Sequence, residues 1–314
     1  MKPIVFMFSG QGSQYYQMGL DFYSENELFN KNINSLNVVI KDRFNFSLID
    51  IMYDQKKTIS IPFSDPFLSS LSIYLIEHAL ASTLMDYGIK PDKIIGSSMG
   101  MFVASVFANC IDKYQGLEII YHLMSQIKEQ CSDGCMLAVL TSPDFYYNSK
   151  ILNQYCELAA ADNGFSFVLS MQLSDVKHVE KHLDEAGLSF HHLPVSRAYH
   201  SHWMDNIKES FLNINLSPTK PSIPIICCTN TEELNNIHTT DLWQAVRKPL
   251  LFSNTITKIE KSTTCRYIDV GPSGMMATCL KYILPKNSES EIYMILNPYK
   301  QASKNFTRVL SHCT

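Results

Sequence analysis

The segment Lys93-Ile94-Ile95-Gly96-Ser97-Ser98-Met99-Gly100-Met101-Phe102-Val103-Ala104-Ser105-Val106-Phe107 passes from a short apolar strand through a glycine-flanked serine into an apolar helix-type run. Both glycines have a physical reason. A strand-to-helix turn this sharp brings backbone against positions 96 and 100, where side chains would collide. Ser98 is thereby held at a helix N-terminus, where free N–H groups and the helix dipole favour developing negative charge. A GxSxG alone is a common chance match. Its strand–turn–helix surroundings make Ser98 a candidate nucleophile.

Outward from this turn, short apolar runs alternate with longer helical ones, the pattern of an α/β protein. Ile4 to Phe8 reads as a strand ending in the loop Ser9-Gly10-Gln11-Gly12-Ser13-Gln14, with a helical pattern from about Met18. Asp65 to about Tyr87 reads as one long apolar helix. From Cys135 the texture changes. Strands are expected at Met136–Leu140, Glu157–Ala160, Phe165–Ser170 and Ser189–Pro194, with helices at Pro143 to about Tyr155 and at Asp175–Ala186. That is the βαββαβ order of a ferredoxin-like lobe. Long helices and short strands then resume, Ile223–Cys228 and Tyr267–Val270 being the clearest strands. The expected organisation is a large α/β domain, residues 1–130 and 199–314, interrupted by a ferredoxin-like insert over 131–198.

Composition limits the partners. The 314 residues are 46% hydrophobic and 18% charged, enough for a sizeable core and contrary to disorder. With 26 Lys plus Arg against 30 Asp plus Glu, the net charge of −4 gives no basic surface for nucleic acid. Nine scattered cysteines, odd in number and without CxxC spacing, read as reduced thiols of a cytoplasmic protein. No secretory leader and no membrane span are expected from the apolar runs. His191-His192, adjacent on a strand, point to opposite faces, so no metal site is expected.

A serine nucleophile needs a base. Of ten histidines, those in Ser196-Arg197-Ala198-Tyr199-His200-Ser201-His202-Trp203-Met204 stand out, because the segment leaves the last strand of the lobe and precedes a helix. Spacing alone leaves His200 and His202 as alternatives.

Four motifs in order resemble the malonyl-transacylase family, the acyltransferases of fatty-acid and polyketide synthesis. Ser9 to Gln14 matches its GQGSQ loop, Gly96 to Gly100 its GHSxG elbow, Ala198 to Met204 its AFHSxxM segment and Gly271-Pro272-Ser273-Gly274 its late GPxG turn. The matches span almost the whole chain. The resemblance implies an α/β-hydrolase-like domain with a ferredoxin-like insert, in agreement with the periodicity. It further implies Ser98 as nucleophile, His200 as base, and the backbone N–H groups of Gln11 and Met99 as oxyanion hole. A main-chain carbonyl in Lys248-Pro249-Leu250-Leu251-Phe252, with Leu251 the first choice, would orient the histidine. Asn163 falls where the family has an asparagine near the site.

The departures bear on substrate. Malonyl-loading members hold the free carboxylate with an arginine 25 residues after the nucleophile, and that count lands on Leu123. No arginine occurs between Ser98 and Ser196. A buried carboxylate without a partner is penalised by several kcal/mol, on the order of the desolvation cost of an ion, so neutral acyl groups are expected. The family's elbow histidine is Ser97, the glutamate after the second glycine is Met101, and its Gln-Pro corresponds roughly to Ser70-Leu71. Arg197 could catch a carboxylate from the other side, or be a solvent-facing arginine at the lobe edge. As a whole the chain looks closest to the proofreading acyl hydrolases of trans-acyltransferase polyketide synthases. That likeness implies hydrolysis of acyl groups from acyl carrier protein domains, with no cofactor beyond the phosphopantetheine on the substrate. A monomer in the cytoplasm is expected. A trans-acting acyltransferase for malonyl or another acyl group, from CoA or a carrier protein, uses the same residues. A non-catalytic carrier-docking subunit would have no need of them.

Overall fold

A computed structural model describes residues 2–162 and 166–313. Five strands, β1 (Ile4–Phe8), β2 (Lys93–Gly96), β7 (Ile225–Cys227), β8 (Arg266–Asp269) and β9 (Glu291–Met294), form one sheet in the order β7-β2-β1-β8-β9. All its pairings are parallel. β1 is buried at every position and lies at the centre, so its apolar run is continuous, as expected of a strand covered on both faces. β9 was not among the expected strands.

The second sheet contains β3 (Gly134–Val139), β4 (Glu157–Asp162), β5 (Ser166–Gln172) and β6 (Phe190–His192), in the order β4-β5-β3-β6 and antiparallel throughout. With helices at Lys150–Tyr155 and Val176–Glu185, this is the ferredoxin-like arrangement. The single helix expected over Pro143–Tyr155 is two. Ser149 between them is extended, and its hydroxyl accepts the Leu152 N–H as an N-cap.

Helix Pro66–Asp86 packs in the centre of the large domain. Asp65 caps it, its side chain accepting the N–H groups of Phe67 and Leu68 at 2.9 Å each, and Pro66 occupies the first turn, where no amide partner is needed. This helix is long and apolar enough to cross a membrane, but 78% of that apolar window is buried inside the protein. Its apolarity is that of a core helix.

The two sheets are tied together beside the site. Where the chain enters and leaves the small lobe, Gly134 N–H donates to Ser196 C=O at 3.1 Å, and a Cβ on Gly134 would lie 2.4 Å from Ala198 N. Across the gap, Leu250 N–H donates to Ala159 C=O at 2.8 Å, which mounts the segment after residue 248 on β4.

Candidate active site

The carboxyl ends of β1, β2 and β8 converge, the position where open parallel sheets bind ligands. β2 ends in the elbow. Helix Gly100–Phe107 starts so close to β1 that a Cβ on Gly100 would stand 2.2 Å from the Phe8 carbonyl oxygen. A Cβ on Gly96 would stand 2.8 Å from Met101 Cα. Ser98 sits at the apex with φ 53°, in the left-handed region that side chains seldom adopt. The strain presents its hydroxyl above the sheet.

Ser98 Oγ lies 2.9 Å from His200 Nε2. His200 also has a positive φ, 59°, and its amide donates to Val246 C=O at 3.1 Å. On the other side of the ring, Nδ1 donates to the main-chain oxygen of Lys248 at 2.8 Å. This corrects the expectation of Leu251. The Leu251 carbonyl is already committed to Thr255, accepting both its N–H and its hydroxyl at 2.9 Å. Lys248 instead ends helix Thr239–Arg247 in an extended conformation, φ −89° and ψ 154°, as the following Pro249 demands. Its carbonyl is released from the helix and turned to the imidazole. Burial lowers the His200 pKa to about 4; the Lys248 bond opposes the shift and the nearby Arg247 charge adds to it. The ring is neutral at pH 7, with the lone pair on Nε2 facing the serine.

His202, the alternative by spacing, is exposed and hydrogen-bonds Glu157 through its ring and its amide. Arg247 is held by Asp205 at 2.9 Å and Glu157 at 3.4 Å.

A narrow cleft beside Ser98 is lined by Gln11, Met99, Phe102, Leu123, Met124, Tyr199 and Val246, with about 10 Å³ left free, room for one water at most. Gln11 and Leu123 are thus brought from two other segments to Ser98 and its chain neighbour Met99. The Gln11 side chain is fixed against the long helix, donating to Ser70 Oγ at 2.6 Å and Pro66 C=O at 2.8 Å. Among the described residues the backbone amides of Gln11 and Met99 make no hydrogen bond, which leaves two donors for a developing oxyanion.

Other expected contacts fall elsewhere. Arg197 is neither in the cleft nor solvent-facing: its side chain is only 10% exposed and pairs with Asp133 at 2.5 Å, at the base of the small lobe. Ser97 is also absent from the cleft wall. It serves the turn through its backbone, donating to Phe8 C=O at 3.0 Å and accepting from Gly100 N–H at 2.9 Å. Asn163 lies outside the described residues. Sequence reasoning missed Phe102, Met124, Tyr199 and Val246. Phe102 was within reach, since position 98 + 4 shares the elbow's helix face; Val246 carries no local signal.

A family model described as an acyl transferase domain matches residues 5–313. The chain is 34% identical over 310 residues to the polyketide biosynthesis acyltransferase homolog PksD of Bacillus subtilis, covering 98% of this chain and 96% of that one. It is 32% identical over 310 residues to the homolog BaeD of Bacillus velezensis, with the same coverage. Among solved structures, the acyl transferase domain of SpnD superposes with a TM-score of 0.86 at 22% identity, over 100% of this chain and 77% of that one. The protein described as MCAT from Streptococcus pneumoniae superposes at 0.79 and 18%, over 98% and 99%. A strained serine on the elbow, a neutral histidine 2.9 Å away and this coverage from end to end make one statement: the chain belongs to the acyl transferase domain family.

Proposed function

We propose that this protein hydrolyses short, neutral acyl thioesters carried on the acyl carrier proteins of a polyketide synthase. The observation that carries the reading is the cleft wall: Phe102, Leu123, Met124 and Val246 line the space beside Ser98, and Leu123 is the residue that the family resemblance sets against the arginine of malonyl-loading members. Each methylene placed against such a wall gains about 0.8 kcal/mol, whereas a carboxylate there would be desolvated without a partner.

Ser98 Oγ attacks the thioester carbonyl while His200 Nε2 takes its proton, and the Lys248 carbonyl holds the imidazolium by its Nδ1–H. The amides of Gln11 and Met99 receive the oxyanion. As the carbon–sulfur bond breaks, His200 returns the proton to the phosphopantetheine thiolate. Water, deprotonated by His200, then attacks acyl-Ser98; the ester bond to Oγ breaks, His200 returns the proton to Ser98 Oγ, and the free acid leaves. The chain's own groups suffice, with the phosphopantetheine belonging to the substrate.

Transfer of the acyl group to a second carrier thiol is the other reading, and the acyltransferase names of the Bacillus relatives favour it. The experiment is incubation with acetyl-, butyryl- and malonyl-carrier proteins beside a second, unloaded carrier, followed by mass spectrometry of both carriers and quantitation of free acid. Free acetate and butyrate with intact malonyl carrier is the expected result. Efficient malonyl transfer to the second carrier with little free acid would overturn it.

A further inference from the structure

Helix Pro66–Asp86 buries one carboxylate, Glu77, among apolar side chains, its other acid, Asp86, being exposed at the end of the helix. Its Oε1 accepts the Ser9 N–H at 2.7 Å and lies 2.7 Å from Ser9 Oγ. Ser9 Oγ is 3.1 Å from Ser13 Oγ, which donates to Gly10 C=O at 2.8 Å. One oxygen of Glu77 therefore anchors the whole turn that presents the Gln11 amide. The turn has no slack on its other sides. A Cβ on Gly10 would stand 2.8 Å from Ser98 Cβ, and one on Gly271 would stand 2.5 Å from Ser9 Oγ.

The second oxygen, Oε2, is buried and has no partner among the described residues. Burial pushes the Glu77 pKa well above the usual carboxylate range, against the two Ser9 bonds, with buried Asp269 adding to the rise. A buried carboxyl group with an idle oxygen is a poor way to stabilise a core helix. Residues that break a packing rule this way belong more often to sites than to cores.

We propose that Glu77 is a positioning residue for the oxyanion hole, acting through Ser9 to aim the Gln11 amide at the acyl oxygen. The inference rests on the reading of Ser98 and Gln11 given above. It predicts a role carried by one accepting oxygen, which a glutamine side chain also supplies.

The test compares Glu77→Gln, Glu77→Leu and Ser9→Ala by single-turnover acylation of Ser98 from acetyl-phosphopantetheine, followed by intact mass, with thermal melting alongside. Glu77→Gln should acylate within about threefold of wild type. Glu77→Leu should lose about 10–100-fold in acylation rate, less than the full loss of an oxyanion donor, with KM within about twofold because the cleft wall is untouched. Ser9→Ala keeps the amide and loses the hydroxyl, so it should fall between; it decides the matter should Glu77→Leu not fold. A folded Glu77→Leu acylating at the wild-type rate would overturn the proposal. So would equal losses in the Gln and Leu variants, or an unaffected Ser9→Ala. Wild-type acylation of Ser98 in the same experiment tests the reading of the site separately.

Discussion

The Lys248 carbonyl oxygen stands 2.8 Å from Nδ1 of His200, and it is a backbone group that holds the base, where many serine hydrolases use a carboxylate. A carbonyl fixes the tautomer as a carboxylate would, because it can only accept. It carries no full charge, however, so it compensates burial only in part. Hence the imidazole stays neutral well below the ordinary histidine range.

That relationship sets the pH behaviour. Catalysis needs the free-base form of His200, whose pKa is lowered to about 4 from 6.5. The acid limb of kcat/KM, which reports the free enzyme, should therefore fall near pH 4, with activity flat between about pH 5.5 and 7. A pH–rate profile on a carrier-bound acetyl thioester checks this. A limb near 6.5 would mean that the ring is solvated in the working enzyme.

Replacing Ser98 with alanine should abolish acyl-enzyme formation and leave the melting temperature nearly unchanged. Alanine keeps the Cβ and with it the strain of the positive φ, and the change removes only the hydroxyl that meets His200. Intact mass after acetyl-thioester treatment would show an acyl adduct on wild type alone. Persistent turnover in a folded Ser98→Ala protein would displace the nucleophile to another residue.

The two histidines of the same segment should behave oppositely. His200→Ala should cost on the order of 10²–10⁴ in kcat, the worth of a general base. His202→Ala should stay within about threefold, because its exposed ring meets Glu157 and the Trp203 ring and is not bonded to Ser98. Steady-state kinetics of both variants separates them.

Leu123 is fully buried and lines the cleft. Leu123→Ala should lower stability by about 2–5 kcal/mol and open space for longer chains. Butyryl and hexanoyl turnover should rise relative to acetyl, while malonyl stays poor because no cation has been added. Competition among mixed acyl carriers, read by mass spectrometry, gives the ratio directly; an unchanged ratio would remove Leu123 from the acyl site.

The elbow and its serine were legible in the sequence because their cause is local. Within eight residues a strand ends, Gly96 leaves room for Met101 and a helix begins, and Gly100 adds the one distant requirement, room for the Phe8 carbonyl of β1. The small lobe was legible for a related reason: its periodicity alone orders two helices among four strands, although the break at Ser149, one capping hydroxyl, escaped. The choice between His200 and His202 was not open to spacing and needed the motif or the structure.

Which carbonyl meets the base was decided by tertiary structure alone. Lys248 and Leu251 are three residues apart in one loop; the outcome turned on Pro249 ending the helix and on Leu250 pairing with Ala159 of the other sheet. The cleft followed the same logic, its wall assembled from the Gln11 loop, the elbow, the helix Lys113–Gln130, the segment at Tyr199 and Val246. Glu77 reads in sequence as an interruption in an apolar helix, and only the packing of that helix against Ser9 turns it into an anchor. A linear pattern carries the conformations that neighbouring residues impose on one another. Contacts among segments tens to hundreds of residues apart depend on how the layers close, and the chemistry of this site lies in those contacts.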